Sequence, residues 1–276
     1  MLIFPTGIAF GFIVMSNALV AAEVSGACFN PAVAMLALLH GKYVNMWVYV
    51  MGPLTGSFLA WVFFRLTNPS DFPPQAGSVG ALLSMLAMEF IGTFMIAWVV
   101  ALSLNVAELD QCIAIGTAVT AVVYTGGAVS GGHFNPCVTL GVGMIYVAKV
   151  IFYFLGAVLA GAAAGYVNQG YENIVSPSVN TDQHTYLEAI FAEAIIAAFL
   201  VLTVLCVGTS EKVAGNSYFG MAIGFVVLAG VVVVGDILPG SSFNTAIGIV
   251  LPLMTNRNIS DIWVCIVGDI LGSFVA

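Results

Sequence analysis

Charge is what this chain has least of. Only 7% of its 276 residues are charged, whereas hydrophobic residues make up 61%. Ordinary soluble domains carry roughly 25% charged residues, because a solvated surface needs them. The composition therefore excludes an ordinary soluble globule and predicts a protein embedded in a lipid bilayer.

Basic residues and paired cysteines are also scarce, and both shortages exclude classes of function. Five Lys and Arg stand against 13 Asp and Glu with no basic patch, which excludes nucleic-acid binding. The cysteines show neither zinc-type spacing nor a disulfide framework, so we expect no metal and no cofactor. No nucleophile and base share a motif, so we expect no enzyme activity. The cysteines are Cys28, Cys112, Cys137, Cys206 and Cys265.

What the chain has instead is a series of apolar segments, each about 20 residues long and sufficient to cross a bilayer. No charged region typical of a signal peptide precedes the first one, so we expect that segment itself to direct insertion. The last one begins near 261 and is cut short at Ala276. The predicted spans lie near 1–21, 44–66, 82–104, 111–128, 147–168, 186–208, 217–235 and from 261.

A short polar break occurs three times inside these apolar stretches, each time before a further helix-like run. An Asn followed by Pro is a good helix start, because Asn caps the helix and Pro lacks the amide that would stay unpaired. Irregular backbone at bilayer depth is tolerated where it lines a cavity, so the breaks predict half-helices at a pore or binding site. The motifs are Phe29-Asn30-Pro31-Ala32, Phe134-Asn135-Pro136-Cys137 and Phe243-Asn244-Thr245-Ala246.

The motif asparagines recur at nearly equal intervals, which indicates internal duplication. Each repeat reads as two spans, a half-helix and a third span. Three spans are an odd number, so successive repeats enter the membrane from opposite sides, and half-helices of adjacent repeats meet end to end at its centre. We expect a partial repeat at 1–66, a Pro-rich linker at 67–81 and a six-span unit with a truncated last span at 82–276.

These motifs and their surroundings resemble the aquaporin, or major intrinsic protein, family. The likeness covers 82–276 as one unit, and 1–66 resembles the closing third of another. It implies an all-α, inverted-repeat transmembrane bundle with re-entrant half-helices, one pore per subunit and a homotetramer. The stretches that carry it are 88–94, 129–141, Ala192-Glu193-Ala194, the Asn244 turn and 47–56.

The resemblance also implies roles for individual residues. Asn135 and Asn244, with the residues that follow them, would be the pore motifs. Glu89 and Glu193 would brace the motif loops by accepting hydrogen bonds. Cys137 departs from the usual Ala, and Thr245 departs from the usual Pro, which removes some rigidity from the third half-helix.

The selectivity position departs further from the family pattern. Many members carry an arginine three residues after the motif asparagine, where this chain has Val33 in the first repeat and Ile247 in the third. The other constriction positions carry over to Ile115, to Val231 or Val232 (we assign Val232), and to Ser241. The expected ring is apolar with one hydroxyl group, and it lacks the usual cation.

The resemblance implies passive permeation of water or small neutral solutes such as glycerol and urea through the bilayer. One alternative is a non-conducting structural or adhesion protein that keeps the fold. Another is an inverted-repeat secondary transporter, for which Asp269 is the one candidate coupling residue at the midplane. No sorting motif decides between plasma and internal membranes.

The few basic residues predict an orientation. Arg65, Lys149 and Lys212 fall on one side of the proposed topology, and Lys42 and Arg257 fall on the other. Because loops rich in Lys and Arg stay in the cytoplasm, the first group is assigned to the cytoplasmic face.

Overall fold

The computed structural model describes residues 3–39, 45–68, 78–143 and 147–276, and this part of the chain is helical without a strand. Lys42 and most of the expected 67–81 linker lie outside the described residues. The α-helices are α1 (Ile3–Ser25), α2 (Pro31–Leu39), α3 (Met46–Thr67), α4 (Ser78–Leu102), α5 (Glu108–Ser130), α6 (Pro136–Gly141), α7 (Val147–Val167), α8 (Tyr186–Val204), α9 (Phe219–Val234), α10 (Thr245–Thr255) and α11 (Ile262–Val275).

Six of the described helices are long and apolar enough to cross a membrane. They correspond to α1, α3, α4, α5, α7 and α8, the last extended by a π-helical turn at Leu205–Thr209. The predicted multi-pass, all-α membrane fold is therefore confirmed. α5 begins at Glu108, three residues before the predicted segment, because its first turn places Glu108 and Asp110 at the positive end of the helix dipole.

The second and third repeats pack in the same pattern, as expected for an inverted repeat. In each repeat the first span packs on the third, α4 against α7 and α8 against α11, and α5 packs on α9 between the repeats. Glycines allow the close crossings: a Cβ at Gly156 would lie 2.6 Å from Phe90 O, and a Cβ at Gly272 would lie 2.6 Å from Ala194 O. Small residues at such crossings are typical of membrane helices.

The partial repeat lies beside this unit. α1 packs on α5 and, less extensively, on α4, while α3 packs on α4. Phe12 of α1 meets Phe225 of α9 edge to face, with ring centroids 6.3 Å apart. The half-helix α2 starts at an exposed Asn30, so this motif stays at the outer side of the molecule.

Candidate functional site

The half-helices α6 and α10 meet end to end through their motif asparagines. Asn135 Nδ2 donates to Phe243 O over 2.7 Å, and Asn244 Nδ2 donates to Phe134 O over 2.8 Å. Each asparagine also caps its own helix, because its Oδ1 accepts from the backbone amide two residues later. Both are buried. The predicted meeting of two half-helices is thus present as a reciprocal pair of hydrogen bonds.

The backbone before each asparagine is strained in the same way. Phe134 and Phe243 both have φ of 52°, and Phe29 has φ of 48° in the first motif. Left-handed backbone is unfavourable for a bulky residue and persists only where the surroundings fix it. For Phe134, Glu89 supplies part of this fixation, because Glu89 Oε2 accepts from Phe134 N over 2.7 Å.

Glu89 also has a cationic partner. Lys149 Nζ lies 3.0 Å from Glu89 Oε1 and donates to Ser130 O over 2.6 Å, and both charged side chains are buried. The orientation rule predicts that Lys149 lies on the cytoplasmic side, and the structure shows that its ammonium is turned inward to the carboxylate. The pair ties the start of α7 to the loop that holds Asn135.

Glu193 occupies the matching place in the other repeat and has a different partner. The Ser241 hydroxyl lies 2.8 Å from Glu193 Oε2 and 3.1 Å from Oε1. Glu193 is buried, and a Cβ at Gly268 of α11 would lie 2.6 Å from Glu193 Cβ. Ser241 therefore directs its hydroxyl toward the glutamate, behind the motif loop.

Three cavities follow one another past the asparagines. The mouth near α6 has about 610 Å³ and is lined by His133 and Lys149, and the mouth near the end of α10 has about 370 Å³ and is lined by Glu108 and Arg257. Between them a central cavity of about 30 Å³ is lined by both motif asparagines. One probe-sized water needs a volume on the order of 10–15 Å³, so the central cavity has room for a water.

The residues predicted to form the constriction differ in their burial. Ile115 and Ile247 are fully buried. Ile115 lies one turn from Cys112, which lines the mouth with Arg257, and one turn from Val119, which lines the central cavity. Ile247 lies one turn beyond Asn244. Along α5, Ile115 therefore lies between the residues that line these two cavities, although neither isoleucine is among the lining residues.

The structure corrects the prediction that Val232 belongs to this ring. It is 48% exposed, whereas its neighbour Val231 is 5% exposed and lines the mouth with Arg257. Consecutive residues on a helix point about 100° apart, so a one-residue uncertainty in alignment turns the side chain from the inside to the outside. Val231, and not Val232, therefore faces the inside of the bundle.

Other predicted motif residues lie apart from the central cavity. Asn30, Pro31 and Ala32 open α2 at the periphery and are not brought to Asn135 and Asn244. Cys137 and Thr245, the residues that depart from the family pattern, face α11. Cys137 Sγ lies 3.1 Å from Ser273 Oγ, and Thr245 Oγ1 donates to Asp269 Oδ2 over 2.6 Å. Ala246 is buried in the first turn of α10.

Ser242 is a cavity residue that the sequence analysis missed. It lines the central cavity, and its buried Oγ has no hydrogen-bond partner within the described residues. Buried hydroxyls are almost always paired, so an unpaired one beside a cavity is available to a molecule inside it. The sequence analysis assigned the neighbouring Ser241 to the constriction, and no sequence signal distinguishes the two serines.

His133 lies in the loop between α5 and α6, outside the spanning helices. Its Nδ1 is 3.0 Å from Thr139 Oγ1. Burial, together with the Lys149 ammonium, lowers the pKa of His133 to about 4, although Glu89 acts in the opposite direction. The ring is therefore neutral at physiological pH.

An inverted-repeat bundle with two half-helices meeting between two open mouths defines a multi-pass membrane channel. The family model described as "Major intrinsic protein" matches residues 4–64 and 75–276. The chain belongs to the major intrinsic protein family, a family of membrane channels.

Individual relatives agree with this assignment. Nodulin-26 of Glycine max is 30% identical over 206 residues, which cover 69% of this chain and 74% of that protein. Glycerol uptake facilitator protein-like 6 of Lactiplantibacillus plantarum is 31% identical over 206 residues, covering 68% and 94%. The X-ray structure of the aquaglyceroporin from Plasmodium falciparum matches with a TM-score of 0.58 and 20% identity, covering 69% of this chain and 92% of that one, and shows the shared fold.

Proposed function

We propose that the unit 82–276 conducts water and small neutral solutes passively between the two mouths. The observation that carries this proposal is the reciprocal pair of bonds between Asn135 and Asn244, set beside the central cavity. Each asparagine amide has two N–H groups and uses one on the opposite backbone. The second is the donor for a passing water or hydroxyl oxygen.

The electrostatics of the half-helices favour neutral permeants. Their N-termini carry partial positive charge and face one another at the centre, which repels cations at the narrow part of the path. The Ser242 hydroxyl adds a group that both donates and accepts next to the asparagines. A permeant therefore meets polar atoms on one wall and apolar side chains such as Val119 and Val227 on the other.

The constriction is the part of the path that determines which solutes can pass. In this proposal it consists of Ile115, Val231 and Ile247, with no cation among them. Without an arginine, a solute is selected by its size and by the free-energy cost of desolvating its polar groups. Glycerol and urea are candidate permeants besides water, and the relative from Lactiplantibacillus plantarum carries glycerol in its name.

The remaining parts of the proposal concern assembly. The partial repeat 1–66 packs alongside the channel unit as an added half unit, and the family resemblance favours a homotetramer in the bilayer. We assign no catalytic group, cofactor or metal to the chain. The transporter alternative loses its candidate, because Asp269 bonds to Thr245 behind α10 and is not among the residues that line the three cavities.

One observation favours the non-conducting alternative, namely that the fully buried Ile115 lies along α5 between the residues that line two of the cavities. The test is the purified full chain in liposomes, first shrunk by an impermeant osmolyte and then exposed to glycerol or urea gradients. Conduction predicts fast shrinkage followed by solute-driven reswelling. Rates equal to empty liposomes would establish a closed or structural protein.

A further inference from the structure

The two residues that replace proline in the third repeat contact each other. Asn30 is followed by Pro31 and Asn244 by Thr245. α11 has Asp269 where the first repeat has Pro53, as the surrounding sequence shows. Thr245 Oγ1 and Asp269 Oδ2 are 2.6 Å apart, a short distance for a hydroxyl bond. The aligned segments are Gly52-Pro53-Leu54-Thr55-Gly56-Ser57-Phe58 and Gly268-Asp269-Ile270-Leu271-Gly272-Ser273-Phe274.

The exchange changes what holds the start of α10. A proline in the first position fixes φ and prepares the helix start, and its ring has no amide to leave unpaired. Threonine supplies none of this rigidity. The bond from Thr245 to α11 anchors the same first turn from outside, next to the Asn244 cap.

The second repeat holds its half-helix from the equivalent place. Tyr153 lies three residues before Gly156, just as Asp269 lies three residues before Gly272. The Tyr153 hydroxyl is 2.8 Å from Thr139 Oγ1 of α6. In the second and third repeats, the third span therefore bonds to the half-helix of its own repeat.

α11 also reaches the other half-helix. Ser273 Oγ lies 3.0 Å from Cys137 O, the backbone oxygen in the first turn of α6, and 2.7 Å from Asp269 O. One face of α11 thus contacts the first turns of both α6 and α10, directly behind the paired asparagines.

Burying Asp269 costs free energy that a residue with only a packing role would not cost. It is 1% exposed, and its Oδ1 has no hydrogen-bond partner in the described part of the chain. A carboxyl group inside a membrane protein with an unpaired oxygen costs free energy that an apolar side chain would not. The hydrogen bond to Thr245 gives this carboxyl group a function that offsets the cost.

We infer that Asp269 is a positioning residue for the pore: through Thr245 it aligns the N-terminus of α10, and with it Asn244, in place of a proline. This inference rests on the proposed function. Asp269 acts through Thr245 and touches no permeant.

The test is a set of full-length variants in liposomes, read out as water permeability and as midpoint of thermal unfolding in detergent. Thr245→Val removes only the hydroxyl, and Asp269→Ala removes the acceptor. Each is expected to lower the water permeability by roughly threefold to tenfold, the range for losing one ordinary hydrogen bond. The double variant Thr245→Val/Asp269→Ala should be no worse than either single one.

Rescue distinguishes positioning from general damage. Thr245→Pro/Asp269→Ala restores the rigid start without the bond, so permeability should return to near the wild-type value. Asp269→Asn keeps an acceptor oxygen and should remain close to wild type. Thr117→Val is the matched control, because the buried Thr117 hydroxyl donates to Ile113 O and Ala114 O within its own helix α5 and Thr117 lines none of the three cavities.

The outcomes separate this inference from the proposed function. If the wild type conducts but Thr245→Val matches it, or if the two single effects add, Asp269 does not position α10. If the wild type does not conduct water, the proposed function fails, and the same cycle in the unfolding midpoints still decides whether the bond holds α10.

Discussion

Lys149 and Glu89 form a buried ion pair, with a distance of 3.0 Å between Nζ and Oε1. The chain that contains this pair has only 7% charged residues. Glu89 accepts from the backbone amides of Phe134 and His133 at the same time. The pair therefore neutralises the carboxylate that holds the loop before Asn135. In the other repeat the matching glutamate, Glu193, accepts a hydrogen bond from the neutral hydroxyl of Ser241.

Removing one member of this pair should be worse than removing both. Lys149→Met leaves Glu89 buried without a cation, so we expect a loss of about 3–5 kcal/mol in the free energy of unfolding. Glu89→Gln/Lys149→Met removes both charges and should recover much of that loss. Thermal unfolding in detergent measures the two variants side by side. A double variant as unstable as Lys149→Met would contradict a charge-pairing role.

The neighbours Val231 and Val232 provide a matched test of the constriction. Val231→Ala shortens a side chain that lines the mouth with Arg257, so glycerol and urea should enter faster. Val232→Ala shortens an exposed side chain on the outer face and should leave both rates unchanged. Reswelling of liposomes under each solute gives the comparison. Equal effects of the two variants would place the constriction elsewhere.

Ser241 and Ser242 should separate stability from conduction. Ser242→Val fills a central cavity of about 30 Å³ with added methyl groups, so water permeability should fall while the protein stays folded. Ser241→Ala removes the donor to buried Glu193 and should lower the unfolding midpoint, since an unpaired buried acceptor costs about 1–3 kcal/mol. The reverse pattern would show that Ser241 faces the permeant.

His133 should make stability depend on pH in one direction. Its pKa is about 4 in the folded protein, below the ordinary value of 6.5, so the unfolded chain binds the extra proton first. Stability is therefore complete above the ordinary value and is lost as the pH falls from there toward 4. Unfolding midpoints between pH 7 and 4 should decline for the wild type and decline less for His133→Asn. Identical slopes would mean that the ring is not buried as described.

Sequence reasoning reached the features that depend on local chemistry. The helix-start signal at Asn135 and Asn244 is carried by the capping residues themselves, and the repeat order then requires the two ends to meet. Glu89 was placed near the motif loop by the family pattern. None of these inferences needs a three-dimensional distance between distant side chains.

The features it missed depend on helix rotation and on contacts between distant segments. A shift of one residue in α9 exchanges Val231 for Val232, and composition does not choose between them. Lys149 pairs with a carboxylate 60 positions away in sequence, so counting loop charges could not reveal the pair. Thr245 and Asp269 were two separate irregularities until packing of α11 against α10 joined them.

The central claim is that water crosses this protein through the gap beside Asn135 and Asn244. Its most direct test is the temperature dependence of osmotic shrinkage, measured by stopped-flow light scattering on liposomes that contain the full chain. A pore predicts faster shrinkage with a lower activation energy than in empty liposomes, and a loss of that difference in Asn135→Leu/Asn244→Leu. Shrinkage with the rate and activation energy of empty liposomes would contradict it.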